Sequence, residues 1–234
     1  MSAGPAGADV DAPVRAVLLD ALGTLVELAP PAPRLRRALE ARTGIDVGAE
    51  AAERGFAAEI GYYLANHMRA SDAEGLERLR DDCAEAMRAA IGRDDLDRAT
   101  VRAAMLEALE FVAFDDVRPA LTALRRRGLR LVVVSNWDCS LPHWLDRAGV
   151  GALVDGAVSS AVVGAPKPAA AVFEAGLELA GCSPGEAVHV GDSLGNDVEG
   201  ARAAGLRAIL IQREGDAPAG VETVRSLAEL SAIV

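Results

Sequence analysis

The segment Asp20-Ala21-Leu22-Gly23-Thr24 places a carboxylate just after the apolar stretch Val14 to Leu19 and just before a Gly-Thr turn. An aspartate at the end of a buried strand has fixed orientation and solvent access, so it can act as a covalent nucleophile or hold a hard cation. Gly23 permits the sharp turn that follows, and Gly23 and Thr24 are candidate contacts for a bound substrate. Three later segments carry matching chemistry. Leu131 to Val134 reads as a second buried strand running into Ser135-Asn136, a hydroxyl and an amide suited to an anionic oxygen. Lys167-Pro168 follows Gly164-Ala165-Pro166 and opens a predicted helix to about Ala180, which aims a cation from a loop. Val188-His189-Val190-Gly191-Asp192-Ser193 is a third strand ending in a carboxylate, with Asn196-Asp197 at the start of the next helix. Each segment alone is ordinary turn or cap chemistry. The four together, in this order, point to one site.

On these four segments the chain resembles the haloacid dehalogenase superfamily, over nearly its whole length from about Val14. The resemblance implies an enzyme, a Mg²⁺-dependent phosphatase acting on a small phosphorylated metabolite. It implies Asp20 as nucleophile, Ser135 as phosphate binder, Asn136 beside it, and Lys167 as the charge that offsets repulsion between two anions. Mg²⁺ would be held by Asp20, Asp192 and the Leu22 backbone carbonyl, with Asp197 orienting metal-bound water or Lys167. Asn196 and Ser193 would stand around that shell. Carboxylates and a carbonyl suit a hard cation that demands octahedral oxygen ligands, and phosphoryl transfer is chiefly positioning and charge neutralisation. Lys167 is the only lysine among 24 basic residues, the one place where a compact point charge replaces arginine. That count excludes phosphonoacetaldehyde hydrolase-like chemistry, which needs a second lysine from the cap.

Leu22 is the departure. The family's phosphatases have an aspartate there, which protonates the leaving oxygen and then activates water. Losing such a group typically costs ~10²–10⁴ in rate, or about 3–5 kcal/mol of barrier. Substrates with good leaving groups, such as acyl phosphates, tolerate that loss. Two alternatives follow: a metal-independent 2-haloacid dehalogenase, whose halide leaves without a proton, and a weakly active pseudoenzyme that binds phosphate or a partner. Dehalogenases of the family lack an acid equivalent to Asp192, so the acidic segment favours the phosphatase.

The elements around these residues predict an α/β fold. From Pro119 onward, predicted helices and strands alternate, which implies a Rossmann-like parallel sheet with helices on both faces. Between Pro30-Pro31-Pro33, read as a break, and a second crossing at Phe111 to Asp116, the pattern is almost purely helical. Arg34 to Thr43 ends at Gly44, Ala49 to His67 follows, Ser71 with Glu74 forms a capping-box pattern before Leu76 to Met87, and Val101, Met105, Leu109 and Val112 form a fourth stripe. This is an inserted α-helical bundle resembling the family's cap domain. The expected division is a disordered tail at 1–13, a catalytic core at 14–28 and 114–234, and a helical cap at 29–113. Tyr62, Tyr63, His67 and Arg69 at a helix end read either as bundle packing or as a polar rim that meets the substrate when the cap closes, and His189 reads as a core or supporting histidine.

With 234 residues, 51% of them hydrophobic, the chain can bury one full core and a smaller one. A net charge of −11 argues against nucleic acid or an anionic membrane as partner. Cys83, Cys139 and Cys182 are odd in number and widely spaced, as in a reducing compartment. Met1 to Asp11 lacks a basic start and an apolar core, and no apolar run reaches spanning length. A cytoplasmic protein is expected.

Overall fold

The computed structural model describes residues 13–234. Six parallel strands form one sheet in the order β5-β4-β1-β6-β7-β8. They are β1 (Ala16–Leu19), β4 (Arg130–Ser135), β5 (Gly156–Ser159), β6 (Ala187–Gly191), β7 (Arg207–Ile211) and β8 (Thr223–Val224). The central strands alternate between two cores, as the two-residue strand period requires. Val17, Leu19, Leu131, Val133, Val188 and Val190 face one cluster, and Ala16, Leu18, Val132, Val134 and Ala187 face the other. α5 (Val117–Arg126), α6 (Leu141–Arg147) and α10 (Leu230–Ile233) cover the first face, with α5 supplying Leu121 and Leu124. α8 (Ala170–Ala180) and α9 (Gly200–Ala203) cover the second with Phe173, Leu177 and Ala201. The short α7 (Ser160–Val163) follows β5. The Rossmann-like α/β reading therefore holds.

Four helices inserted after β1 bury a third, separate cluster. They are α1 (Pro31–Thr43), α2 (Ala49–Asn66), α3 (Ala73–Ile91) and α4 (Arg98–Ala108). Leu39, Phe56, Leu79, Cys83, Met87 and Met105 lie at its centre. A Cβ on Gly55 would come within 2.9 Å of Ile91, so that glycine lets α2 and α3 approach closely.

Several local expectations differ from the fold. Pro31 and Pro33 do not break the chain; they sit in the first turn of α1, where a missing N–H costs nothing. α3 is capped by Asp72, whose side chain accepts from Gly75 N at 2.7 Å, and not by Ser71. The fourth stripe stops at Ala108. Val112 belongs to β3 (Phe111–Ala113), which pairs antiparallel with β2 (Val26–Leu28). This two-stranded ribbon carries the chain between sheet and bundle, and three residues per strand are too few for a periodic signal. Of the predicted tail, residues 1–12 lie outside the described residues. Among the described residues no helix is long and apolar enough to cross a membrane.

Glu59 is the charged side chain buried in the bundle, 5% exposed. Burial pushes its carboxyl from 4.5 up to about 7, against the weak opposing effect of the Cys83 thiol. The folded value exceeds the ordinary one, so the cost of ionising Glu59 grows from about pH 4.5 to about pH 7 and is complete above that, at about 3 kcal/mol. Glu59→Gln should raise the calorimetric melting temperature clearly at about pH 8 and little at about pH 5. An equal rise at both pH values would contradict this assignment.

Candidate active site

Strand order explains why residues far apart in sequence meet. β1 lies between β4 and β6, so Asp20, Ser135-Asn136 and Asp192 leave three adjacent strand ends at the sheet's carboxyl edge. In open parallel sheets that edge is where ligands bind. Asp20 is 6% exposed, and its N–H donates to the Val190 carbonyl at 2.9 Å. The turn after it closes on Ala21, whose carbonyl accepts from Thr24, Leu25 and Val26, and on Gly23 N donating to Val26 O at 2.8 Å. The Leu22 carbonyl takes no part in these bonds. Gly23 is required twice over: its φ is +80°, and a Cβ there would lie 2.1 Å from Asp192 Oδ2.

Lys167 is buried, and its ammonium donates to Asp20 Oδ1 and to Asp197 Oδ1, each at 2.6 Å. Burial works against that charge, but the two carboxylates outweigh it and raise the lysine above its ordinary value. Asn136 holds the lysine's backbone on both sides: Oδ1 accepts from Lys167 N at 2.7 Å, and Nδ2 donates to Lys167 O at 3.1 Å. That use of its main chain keeps Lys167 out of a helix, and α8 begins only at Ala170. Asn136, expected as a substrate contact, thus has its amide engaged in placing the cation.

Asp197 accepts from Lys167, from His189 Nε2 at 2.9 Å and, through Oδ2, from Ser193 N at 3.0 Å. Burial alone would raise it, but the His189 bond and Lys167 hold it well below the usual carboxylate range. His189 is fully buried against Phe173, and burial keeps its pKa below the ordinary value, so the neutral ring donates from Nε2. Ser193 Oγ accepts from Asn196 N at 3.2 Å and caps a π-helical turn, Leu194–Glu199. That turn, in place of the predicted regular helix start, brings Asp197 back under β6. Gly191 is necessary there, because a Cβ would sit 2.2 Å from Asp197 Cγ.

Asp20, Asp192 and Asp197 each offer a carboxylate oxygen within 4.8 Å of the others. Burial, then Asp20 and Asp197, push Asp192 up to about 6, as expected where acids crowd with one ammonium among them. All-oxygen donors and unbalanced negative charge fit a hard divalent cation. Ser135 is buried at the end of β4, in register with Ser159. Thr24 is fully buried, its hydroxyl without a partner, while its carbonyl accepts from Arg213 at 2.8 Å.

Above this cluster lies a cavity of about 230 Å³ between sheet and bundle, walled mainly by apolar side chains and including Leu22, Asn136 and Trp137. Tyr63, on α2, donates to Asp138 Oδ2 at 3.0 Å and so ties the bundle to the loop after β4. Cys139 N to Ala70 O, 2.9 Å, is a second tie. Neither reading of Tyr63, bundle packing or substrate rim, includes this tie to Asp138. Only the placement of the helical bundle against the loop after β4 reveals it.

The haloacid dehalogenase-like hydrolase profile matches residues 14–205. The chain belongs to that family. Glyceraldehyde 3-phosphate phosphatase of Methanopyrus kandleri is 30% identical over 209 residues, 86% of this chain and 84% of that protein. A phosphatase of Mycobacterium tuberculosis is 39% identical over 132 residues, 54% of this chain and 59% of that protein, so the match spans less than two thirds of its length. A phosphatase of the same family from Thermococcus onnurineus superposes with a TM-score of 0.65 at 27% identity, covering 94% of this chain and 97% of that one. The Thermococcus onnurineus phosphatase shares the fold described here.

Removing Asp197 leaves Lys167 with Asp20 alone and strips the buried donors of His189 and Ser193 of their acceptor, and breaking a buried pair in this way typically costs about 3–5 kcal/mol. Asp197→Ala should show a loss of that size in urea unfolding, and Asp197→Asn, which keeps acceptors for His189 and Lys167, a smaller one. A neutral Asp197→Ala would mean that the cluster does not hold Lys167.

Proposed function

We propose that this family member is a Mg²⁺-dependent phosphatase that hydrolyses a small phosphorylated metabolite through an aspartyl-phosphate on Asp20, with residues 29–113 as a cap over a core of 14–28 and 114–234. The observation that carries this reading is the convergence of three carboxylate oxygens within 4.8 Å around one buried lysine. Asp20, Asp192 and the Leu22 carbonyl would hold Mg²⁺, which when bound supplies positive charge to offset the phosphoryl oxygens. Lys167 orients the Asp20 carboxylate through Oδ1 and neutralises part of the incoming charge. Ser135 and the Gly23-Thr24 turn would bind phosphate oxygens, and Asn136 fixes Lys167. Asp197, held by His189 and Ser193, keeps Lys167 charged and in place. In the first step an Asp20 oxygen bonds to phosphorus as the bond to the leaving oxygen breaks. In the second, water cleaves the phosphoaspartate. The setting proposed is the cytoplasm.

Leu22 is 45% exposed and lines the apolar cavity. It neither donates a proton nor activates water, so the first step favours leaving groups that depart as stable anions, acyl and aryl phosphates before alkyl phosphates. A leucine in this position and an apolar chamber also favour a second reading, metal-independent dehalogenation of 2-haloacids. Crowding of Asp192 and Asp197 against Asp20 speaks against it.

Calorimetric titration with Mg²⁺ should show binding to the wild type and none to Asp192→Ala or Gly23→Ala, the latter because its Cβ occupies the space of the Asp192 carboxylate. Unchanged affinity in Asp192→Ala would overturn the metal assignment, and halide release from 2-haloacids in the presence of a chelator would establish the second reading. Single-turnover rates should favour acyl and aryl over alkyl phosphates. Leu22→Asp should raise alkyl phosphate turnover selectively, by about 10²-fold or more if a full general acid is restored. Equal wild-type rates for all three ester types would show that another group supplies the proton.

A further inference from the structure

The wall of the cavity between sheet and bundle carries an unusual concentration of exposed apolar surface. Leu22, Ile60 and Leu64 are three of the seven large hydrophobic residues exposed among the described residues, and all three line this one space. Clustered rather than scattered exposure marks a binding surface. Leu22, two residues from Asp20, and Asn136, which grips Lys167, are both part of the cavity wall, so the wall includes immediate neighbours of the carboxylate cluster although Asp20 and Lys167 do not line it.

Three charged groups reach this apolar wall. Arg80 is paired with Glu77 at 2.9 Å, and Asp138 accepts from Tyr63 Oη at 3.0 Å and from Ser140 N at 2.7 Å. Glu59 is more than nine-tenths buried, and no cation among the described residues pairs with it; its polar neighbour is the neutral Cys83 thiol. A carboxyl kept there without a cation is destabilising for the bundle, and its raised ionisation range reflects that cost. A ligand ammonium would remove the cost by supplying the missing partner in low-dielectric surroundings.

We propose that this cavity is the leaving-group chamber of the Asp20 site, and that it takes an aryl or acyl phosphate whose apolar body carries an ammonium group paired with Glu59. The proposal rests on the phosphatase reading above and narrows its substrate class. Chemistry and pocket agree: Asp20 forms the oxygen–phosphorus bond and the bond from phosphorus to the aryl or acyl oxygen breaks; a phenolate then takes its proton from solvent, and a carboxylate leaves as the anion. Leu22 thus serves as apolar wall where the family's phosphatases place an acid.

The test compares para-(aminomethyl)phenyl phosphate with para-methylphenyl phosphate, with Mg²⁺, in wild type and Glu59→Gln, alongside calorimetric binding of para-(aminomethyl)phenol. Wild type should favour the amine substrate in kcat/KM by on the order of tenfold or more, and Glu59→Gln should bring the ratio near one and weaken the phenol by a similar factor. Leu64→Ser, at an exposed position that does not threaten folding, should lower kcat/KM for both phosphates alike. A wild-type ratio near one, or a preference that survives Glu59→Gln, would overturn the chamber assignment while leaving the phosphatase reading intact. If neither phosphate is cleaved, the phosphatase reading falls. The binding arm then decides the chamber alone: loss of the phenol in Glu59→Gln supports it, and unchanged or absent binding overturns it.

Discussion

Everything at this site is organised around one buried ammonium. Lys167 bridges Asp20 and Asp197 at 2.6 Å each, and inside the protein its ammonium depends on those two flanking carboxyl groups for partners. That requirement propagates outward. Asn136 must hold the lysine's backbone, His189 must be neutral and donate to Asp197, and the π-helical turn must bring Asp197 under β6. Gly23 and Gly191 are glycines because the carboxylates occupy the space their Cβ atoms would need. The sheet supplies the frame, since three neighbouring strand ends deliver Asp20, Ser135 and Asp192, while Lys167 comes from the segment before α8 and Asp197 from the π-helical turn.

The second constraint is the leucine at position 22. A general acid contributes about 3–5 kcal/mol to the barrier, and an apolar wall cannot replace it. Burying some 100 Å² of a ring yields about 2–3 kcal/mol at ~25 cal/mol per Å², but such binding stabilises substrate and transition state alike. It lowers KM and leaves the chemical step unchanged. On the proposed reading the deficit is met by leaving-group chemistry rather than by affinity. The apolar inner surface of the bundle agrees with that proposed division, in which the bundle would set which body enters and the sheet edge would carry the transfer.

Much of this was legible in the residues. The apolar runs before Asp20, Ser135 and Asp192 have the continuous hydrophobicity of strands buried on both faces, and the alternation after Pro119 implied the parallel sheet. α1 and α8 end where expected, at Thr43 and Ala180, each before a glycine in the left-handed region. The errors were local. Ser71 and Asp72 are both good caps, and only packing selects between them. The β2-β3 ribbon was invisible because its stability comes from pairing partners more than eighty residues apart.

By itself the sequence determined the fold class, the family, the four chemical segments and the absence of an acid at position 22, because each depends on residue type and short-range order. Tertiary structure decided what those residues do to one another. Asn136 became a clamp on Lys167 rather than a free amide, since parallel strand order sets its loop against the lysine's. His189 became the anchor of Asp197, because a π-helical turn rather than a regular helix start follows Asp192. Glu59 and Leu22, thirty-seven positions apart on different elements, came to share one cavity only when the helical bundle closed over the sheet. Contacts of that range are fixed by packing geometry, which no local pattern encodes.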